Sequence, residues 1–288
     1  MLFIYILIIV FVLTVLLVIG MLRVYKNPKN PHKSTPAEHD IPFEEVRFPA
    51  RNGCRLYGWW IPAGKNEQKN APVLILVHGW GRNVERMMAY IKVFYHNGFN
   101  VLAFDARNHG SSEADGHSSM VKFAEDIQAS IDFIEKRSKD GKPQIGVLGL
   151  SIGGAGSIYA AALDPRIRSV VTVGAFAHPA DMMRQEFRRR HVPYFPFVWL
   201  LFKYMQHRIG MTLEQIAPVN NISKTQAHVF LIHGEKDDVV PLFNAQQLNN
   251  AGDPGRVRLW AIPVRGHSDC HRESGFWDRV VAFFKDTL

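Results

Sequence analysis

Cysteine is scarce in this sequence of 288 residues, which contains Cys54 and Cys270 and no other. The two lie far apart, without the spacing of a zinc site, a redox pair or a disulfide-rich scaffold. The 13 histidines also lack a recognisable pattern of metal ligands. We therefore expect two separate thiols and no metal site.

Internal repeats and nucleic-acid-binding motifs are absent as well. Hydrophobic residues make up 47% of the chain and charged residues 21%, which is ordinary for a globular protein and argues against a disordered or collagen-like chain. The net charge is +8. Because no nucleic-acid motif accompanies this charge, we expect no nucleic-acid partner, and a membrane surface explains the basic residues better.

Charge is missing altogether from Met1 to Leu22, "MLFIYILIIVFVLTVLLVIGML". As a helix this segment would be about 33 Å long, enough to cross the hydrocarbon of a bilayer. A cleaved signal peptide is the alternative, but the segment has no basic n-region, its apolar run is too long, and no A-x-A-like site follows. The sequence therefore predicts an uncleaved transmembrane anchor over residues 1–22.

Positive charge follows this anchor at Arg23, Lys26, Lys29 and Lys33, and no charged side chain precedes it. The positive-inside rule relates such an excess of basic residues to the cytoplasmic side of a membrane. We therefore expect a single-pass protein whose remaining residues lie on the cytoplasmic side.

Prolines and polar residues dominate the next segment, "NPKNPHKSTPAEHDIP". This composition is typical of an extended linker and not of a packed element. The sequence thus predicts a tether over residues 23–42 and a folded domain over residues 43–288.

The folded domain begins with two short strand patterns, "EEVRFPAR" and "CRLYGWWIP", joined by an Asn-Gly dipeptide that suits a hairpin turn. Continuous apolar runs such as "PVLILVHG", "FNVLAFDAR" and "QIGVLGL" then alternate with helical patterns. Such runs indicate strands covered on both faces, and the alternation indicates parallel strands with helical crossovers. We expect an α/β fold with a mostly parallel sheet of eight strands and helices on both faces.

The alternation breaks over residues 177–226, which we interpret as a short helical lid inserted between two strands. The middle of this insertion, "VPYFPFVWLLFKYMQHRIG", is rich in aromatic and aliphatic residues. It forms either a helix that packs on the body or one that also covers a hydrophobic acyl pocket, and we favour the pocket. The arginines of "RQEFRRRH" at its start form either a solvated face or a contact with anionic lipid headgroups.

The stretch "GLSIGGAGS" follows a predicted strand and precedes a predicted helix. Gly149, Ser151 and Gly153 match the pattern G-x-S-x-G, in which a sharp turn exposes a nucleophilic serine at the carboxyl edge of a sheet. A serine hydroxyl is a weak nucleophile at neutral pH, so it needs a base and a group that orients the base. Asp237 in "HGEKDDVVP" and His267 in "VRGHSD", each after its own predicted strand, are the candidates.

Two more stretches follow predicted strands: "HGWGRN" comes after the third and "DARNHGSS" after the fourth. Together with the stretches around Ser151, Asp237 and His267, they occur in the order seen in the α/β-hydrolase fold family. The chain resembles that family from about Phe43 to Leu288. Within it, the chain is most similar to small serine esterases, lipases and thioesterases with a short lid, and also to the catalytic domain of prolyl-oligopeptidase-like peptidases.

The resemblance implies a role for each matching residue. Ser151 would be the nucleophile, His267 the general base and then acid, and Asp237 the carboxylate that orients the histidine. The backbone N–H groups of Trp80 and Ile152 would form the oxyanion hole. No metal and no organic cofactor would be needed.

Three other residues compete for these roles. Asp238 adjoins Asp237, Asp181 corresponds to the acid that some family members place after the sixth strand, and His271 is close to His267 in sequence. The positions that the family uses favour Asp237 and His267.

Several further polar residues lie near the predicted strand ends. We interpret His78, His109 and His233 as groups that brace loops or strand ends, and Asp105 and Arg107 as residues that brace the turn after their strand.

These features together predict a membrane-anchored serine hydrolase that cleaves an ester or thioester, with a small-molecule or lipid-like acyl substrate. A serine peptidase of the prolyl-oligopeptidase kind and an acyltransferase are the enzymatic alternatives. A non-catalytic scaffold or binding module would keep the fold without the chemistry.

Overall fold

The computed structural model describes residues 1–24, 29–64, 71–138 and 141–288. Among these residues, eight strands form one sheet in the order β1-β2-β4-β3-β5-β6-β7-β8. The strands are β1 (Glu44–Pro49), β2 (Arg55–Ile61), β3 (Val73–Val77), β4 (Asn100–Asp105), β5 (Ile145–Leu150), β6 (Ile167–Val173), β7 (His228–Gly234) and β8 (Val257–Ile262). Strand β2 pairs antiparallel with β1 and β4, and the other pairs are parallel. The predicted mostly parallel sheet of eight strands is confirmed.

The α-helices of the described residues are α1 (Leu2–Val24), α2 (Met88–His96), α3 (Met120–Arg137), α4 (Ile152–Leu163), α5 (Pro179–Arg189), α6 (Trp199–Ile209), α7 (Leu213–Ile216), α8 (Phe243–Ala251) and α9 (Phe276–Thr287). Side chains of α3, α4 and α8 pack in a core on one face of the sheet, and side chains of α2 and α9 pack in a core on the other. Successive residues of β3 alternate between these two cores, which is why its sequence is apolar throughout. The predicted covering of both faces by helices is confirmed.

Helix α1 is long and apolar enough to cross a membrane. Its stretch Phe3–Gly20 has a mean hydropathy of 3.2 and is 0% buried in the protein, unlike the core helix of a soluble domain. Most of the aliphatic and aromatic side chains of α1 whose burial the structure describes are exposed. The predicted anchor therefore forms a helix with the dimensions of a membrane span.

The segment after α1 differs from the predicted extended tether. Residues 25–28, with Lys26, lie outside the described residues, but from Lys29 onward the chain packs on the body. Pro36 and Ile41 are buried, and Pro36–His39 form one turn of 3-10 helix. Polar side chains in the same segment hydrogen-bond to loops of the domain. The ordered body therefore extends upstream of Phe43, because apolar and polar groups of this segment both have partners there.

The predicted lid, residues 177–226, contains α5, α6 and α7 and leads into β7. Most arginines at its start are engaged within the protein. Arg184 pairs with Asp181 over 2.8 Å, Arg190 pairs with Glu186 over 2.6 Å, and Arg189 donates to a backbone carbonyl. These contacts favour the solvated, internally paired face over a dedicated headgroup site.

Candidate active site

The turn between β5 and α4 holds Ser151 in a backbone conformation that few residues adopt. Its φ of 54° and ψ of −119° lie outside the regions that most L-residues occupy. The N–H of Ser151 donates to the carbonyl of Val173, at the end of β6, over 2.8 Å. This is the geometry of a nucleophile elbow, which presents the serine hydroxyl at the carboxyl edge of the sheet.

Two glycines allow this turn because the backbone passes close to itself. A Cβ atom on Gly149 would lie 2.4 Å from the carbonyl carbon of Gly153. A Cβ atom on Gly153 would lie 2.5 Å from the carbonyl oxygen of His78. Both distances are too short for any side chain, so the G-x-S-x-G pattern follows from steric exclusion.

Asp237 and His267 meet at the ends of β7 and β8. Oδ2 of Asp237 accepts a hydrogen bond from Nδ1 of His267 over 2.7 Å. Oδ1 accepts the N–H groups of Val239 and Val240 over 3.0 and 2.8 Å, and His233 hydrogen-bonds to the carbonyl of Val240. The side chain of Asp237 is 0% exposed, and these bonds fix the carboxylate in place. This bond directs Nδ1 of His267 to the carboxylate and leaves Nε2, the nitrogen that a general base would use, on the other side of the ring.

Ser151 and His267 line the same cavity. Their side chains share no hydrogen bond within the described structure. Catalytic hydrogen bonds are often long in a site without substrate and tighten when substrate binds. The structure thus joins Asp237 to His267 and brings Ser151 to the same cavity, while the Ser151–His267 bond stays a prediction.

The competing residues lie elsewhere. The side chain of Asp238 is exposed. Asp181 forms an ion pair with Arg184 on the outside of α5. His271 lies in a short 3-10 turn, with its ring 6.2 Å from that of Tyr90. Neither Asp238 nor Asp181 replaces Asp237 in its hydrogen bond with His267, and His271 does not replace His267 in it.

A loop after β3, residues 79–81, lies against the elbow. A Cβ atom on Gly79 would be 3.5 Å from Cβ of Ser151, and the N–H of Arg82 closes the turn by donating to the carbonyl of Gly79 over 3.2 Å. Trp80 and Ile152 both line the cavity, and the N–H of Ile152 belongs to the first turn of α4, where N–H groups have no partner within the helix. This placement suits an oxyanion hole built from both N–H groups.

Two buried histidines hold the same loop from behind. Nδ1 of His78 donates to the carbonyl of Gly79 over 2.8 Å while its Nε2 accepts the N–H of Ala106 over 3.0 Å. Nε2 of His109 accepts the N–H of Gly81 over 3.3 Å. Burial lowers the pKa of His78, and burial together with the neighbouring imidazole of His78 lowers the pKa of His109 to about 4. Both rings are therefore neutral at pH 7 and serve as braces.

A cavity of about 830 Å³ opens beside Ser151 under the lid. Its walls are mainly apolar, and methionine, which adapts to irregular ligands, is frequent in them. The wall residues contributed by the lid and by α1 include Met182, Met183, Met205, Ile209, Leu16 and Gly20. Ser118 supplies a buried hydroxyl with no hydrogen-bond partner among the described residues.

Sequence reasoning missed two parts of this site. Leu16 and Gly20 of α1 reach the cavity, although α1 is apolar on all sides and shows no preferred face in its sequence. Segment 29–34 contacts the loop beside Ser151, although its polar residues have the composition of a linker. Pro36 and Ile41, two apolar residues within a polar stretch, were the available signal that this segment packs. Among the described residues, no group of three or more His, Cys, Asp or Glu side chains is arranged to hold a metal ion.

Comparison with known proteins finds similarity to one fold family over part of the chain. The model of the family described as alpha/beta hydrolase fold matches residues 72–204. The chain is 29% identical over 232 residues to the protein named Uncharacterized protein YfhR of Escherichia coli K12, covering 78% of this chain and 74% of that protein. It is 25% identical over 254 residues to the protein named Uncharacterized membrane protein YNL320W of Saccharomyces cerevisiae, covering 88% and 83%.

Two further matches have names that state an activity. The chain is 30% identical over 154 residues to Thiohydrolase aneE of Aspergillus aculeatus, which covers 52% of this chain and 45% of that protein. The solved structure of the Pyrococcus furiosus esterase Pf2001 superposes with a TM-score of 0.72 at 20% identity, covering 91% of this chain and 97% of that chain. At this identity the superposition shows a shared fold.

Gly174, at the end of β6, gives a test of the Asp237–His267 arrangement. Its φ is 68°, and a Cβ atom there would lie 3.0 Å from Nδ1 of His267 and 3.4 Å from Oδ2 of Asp237. We expect Gly174→Ala to displace the imidazole and to lower kcat for p-nitrophenyl ester hydrolysis by about 100-fold, because a shift of about 1 Å has effects of this size.

Gly275→Ala is the matched control. Gly275 has a φ of 70° and no neighbour within 4 Å of its Cβ position, so it carries a similar backbone strain at a position that does not line the cavity. Equal kcat values for the two variants, measured on protein with equal thermal stability, would contradict the assigned arrangement.

Proposed function

The chain belongs to the α/β-hydrolase superfamily, and on this basis we propose that it is a membrane-anchored serine hydrolase that cleaves a carboxylic ester or thioester. The observation that carries the proposal is the hydrogen bond between Asp237 and His267 at the cavity that contains Ser151. A scaffold protein would have no need to keep this arrangement beside a strained serine. The names of an esterase and a thiohydrolase among the similar proteins agree with hydrolysis of an acyl group.

In the acylation step, Oγ of Ser151 attacks the substrate carbonyl while Nε2 of His267 accepts its proton. Asp237 keeps the imidazole in the required tautomer and stabilises the imidazolium. The oxyanion of the tetrahedral intermediate accepts hydrogen bonds from the N–H groups of Trp80 and Ile152, each worth about 3 kcal/mol in the transition state. The intermediate collapses when His267 returns the proton to the leaving alcohol or thiol.

In the second step, His267 takes a proton from water, which attacks the acyl group on Ser151. The second tetrahedral intermediate collapses to release the carboxylic acid, and the proton on His267 returns to Oγ. Every proton and bond is accounted for by the triad and water. An alcohol or amine acceptor in place of water would make the same site an acyltransferase.

A lipid-like acyl chain is the substrate that the cavity favours. Its walls are apolar, and the lid covers it with aliphatic, aromatic and methionine side chains. Leu16 and Gly20 of α1 contribute to the same walls. Since α1 is the proposed membrane span, an acyl chain could pass from the bilayer to Ser151 along apolar surface.

Ser151→Ala tests the mechanism. We expect it to reduce hydrolysis of p-nitrophenyl esters to the small residual rate that the oxyanion hole supports without a nucleophile. It should also remove labelling by a fluorophosphonate probe. Ser223→Ala, at an exposed position far along the chain from the elbow, should leave both unchanged. Labelling and hydrolysis that persist in folded Ser151→Ala protein would show that another residue is the nucleophile.

A series of acyl chains tests the substrate class. In matched ester and thioester series from two to sixteen carbons, we expect kcat/KM to rise with length by up to about fourfold per methylene until the cavity is full, since each buried CH₂ contributes about 0.8 kcal/mol. The slope should be the same for the two leaving groups because the cavity holds the acyl part. A strict preference for acetyl substrates would contradict a lipid-like chain.

We propose that the hydrolase domain is cytoplasmic, because the positive-inside rule relates the basic residues at and after the end of α1 to the cytoplasmic side of a membrane. The yeast relative is named a membrane protein, which agrees with an anchored chain. In sealed vesicles that expose the cytoplasmic face, added protease should digest the domain, and in vesicles of the opposite sidedness the domain should be protected. The reverse pattern would place the domain outside.

A further inference from the structure

Residues 29–34 form a strap that joins the proposed membrane span to the loop beside the nucleophile. Helix α1 ends at Val24, and the strap hydrogen-bonds to residues 81–85, which begin at the last residue of the loop 79–81. Lys29, at the start of the strap, also donates to the carbonyl of Ser112, in the loop after β4. The strap therefore contacts both of the loops that follow β3 and β4.

The strap is bonded to the chain after β3 at two places, Gly81 and Glu85. Nδ2 of Asn30 donates to the carbonyl of Gly81 over 3.1 Å, and Nδ2 of Asn83 donates back to the carbonyl of Asn30 over 3.1 Å. Further along, the N–H of Lys33 and the hydroxyl of Ser34 donate to the carboxylate of Glu85 over 2.8 and 3.1 Å. This reciprocal bonding ties the strap to the loop by main-chain and side-chain groups together.

His32 adds a contact to the interior. Its Nε2 lies 2.8 Å from Oδ2 of Asp105, which is fully buried, and the imidazole stacks on the ring of Tyr57 at 5.1 Å. Asp105 also accepts the N–H of Val84 over 2.7 Å and the N–H of Ser111 over 2.7 Å. One buried carboxylate thus connects the strap, the loop after β3 and the loop after β4.

Protonation strengthens this contact. Burial opposes the charge on His32, but the hydrogen bond and the charge of Asp105, with the charges of Glu85 and Glu45, outweigh it and raise the pKa of His32. The same pairing, together with the nearby His78, outweighs the burial of Asp105 and lowers its pKa. Removal of the imidazole leaves the buried carboxylate of Asp105 without the side chain that pairs with it, a change that disturbs the backbone N–H groups of Val84 and Ser111 that the same carboxylate holds.

The loop 79–81, whose last residue Asn30 contacts, carries one of the two proposed oxyanion donors, the N–H of Trp80. Gly81 adjoins Trp80, and the opposite side of the turn lies against Ser151, as the 3.5 Å approach at Gly79 shows. His109 holds the N–H of Gly81 from the interior, and Asn30 holds its carbonyl from the outside. Without the contact from Asn30, the N–H of Trp80 can shift by a small distance. Because an N–H group stabilises an oxyanion only at hydrogen-bonding distance, such a shift would slow the reaction.

From these contacts we propose that the strap is a positioning segment of the active site. Asn30 and His32 fix the loop of residues 79–81, which carries the Trp80 N–H, against Ser151. The proposal rests on the proposed hydrolase function. The segment next to the membrane span is then part of the active site and affects the rate of catalysis, and it is more than a linker.

The test uses the full chain in lipid nanodiscs and compares His32→Ala, Asn30→Ala and His32→Gln with the control His39→Ala. His39 is an exposed histidine on the same segment, five residues beyond the strap. The amount of folded, reactive site is titrated with excess fluorophosphonate, and kcat and KM for a p-nitrophenyl ester are expressed per titrated site. This separates displacement of a donor from simple loss of folded protein.

We expect kcat per titrated site to fall about tenfold in His32→Ala and about threefold in Asn30→Ala, with KM unchanged, because the oxyanion forms only in the transition state. His32→Gln, which keeps an N–H donor near the position of Nε2, should recover most of the loss, and His39→Ala should match the wild type.

The proposal is overturned if Asn30→Ala and His32→Ala retain the wild-type kcat per titrated site, or if their losses are confined to KM or to the titrated amount. Asn30 is exposed, so Asn30→Ala remains a usable variant even if His32→Ala fails to fold. Failure of the hydrolase function itself is distinguished by Ser151→Ala, which would then still hydrolyse ester.

Discussion

The hydrogen bond between Asp237 and His267 is the interaction on which the rest of the site depends. It joins the loops after β7 and β8, and it exists because Asp237 is already held by two backbone N–H groups and is removed from water. A carboxylate fixed in this way gives the imidazole one orientation and one tautomer. Ser151, at the elbow after β5, faces the same cavity. The parallel sheet supplies the common edge at which these three loops meet.

The sequence predicts the parts of this arrangement that local chemistry determines. Buried strands appear as unbroken apolar runs, and the elbow appears as glycines around Ser151 because side chains at Gly149 and Gly153 would overlap the backbone. The order of serine, acid and histidine follows from the chain order of the strands. Asp237 and Asp238 differ little as sequence, and the structure separates them by burial and by the contact with His267.

The parts that sequence reasoning did not find depend on contacts between distant segments. His32 and Asp105 are 73 positions apart, and Asn30 and Gly81 are 51 apart. A polar residue in a proline-rich stretch has the same local pattern whether it is solvated or bonded to a loop. The contribution of Leu16 to the cavity is equally hidden, since every face of α1 is apolar. These contacts connect the proposed membrane span to the site both through the cavity wall and through the strap.

The proposed mechanism requires Ser151, the two backbone N–H groups and the apolar cavity to act on one acyl group. The most direct measurement is a crystal structure of the full chain after reaction with a long-chain alkylphosphonate. We expect a phosphorus bonded to Oγ of Ser151, a phosphonyl oxygen about 2.7–3.1 Å from the nitrogens of Trp80 and Ile152, and an alkyl chain under the lid. A phosphonyl oxygen turned away from both nitrogens, or an adduct on another residue, would contradict it.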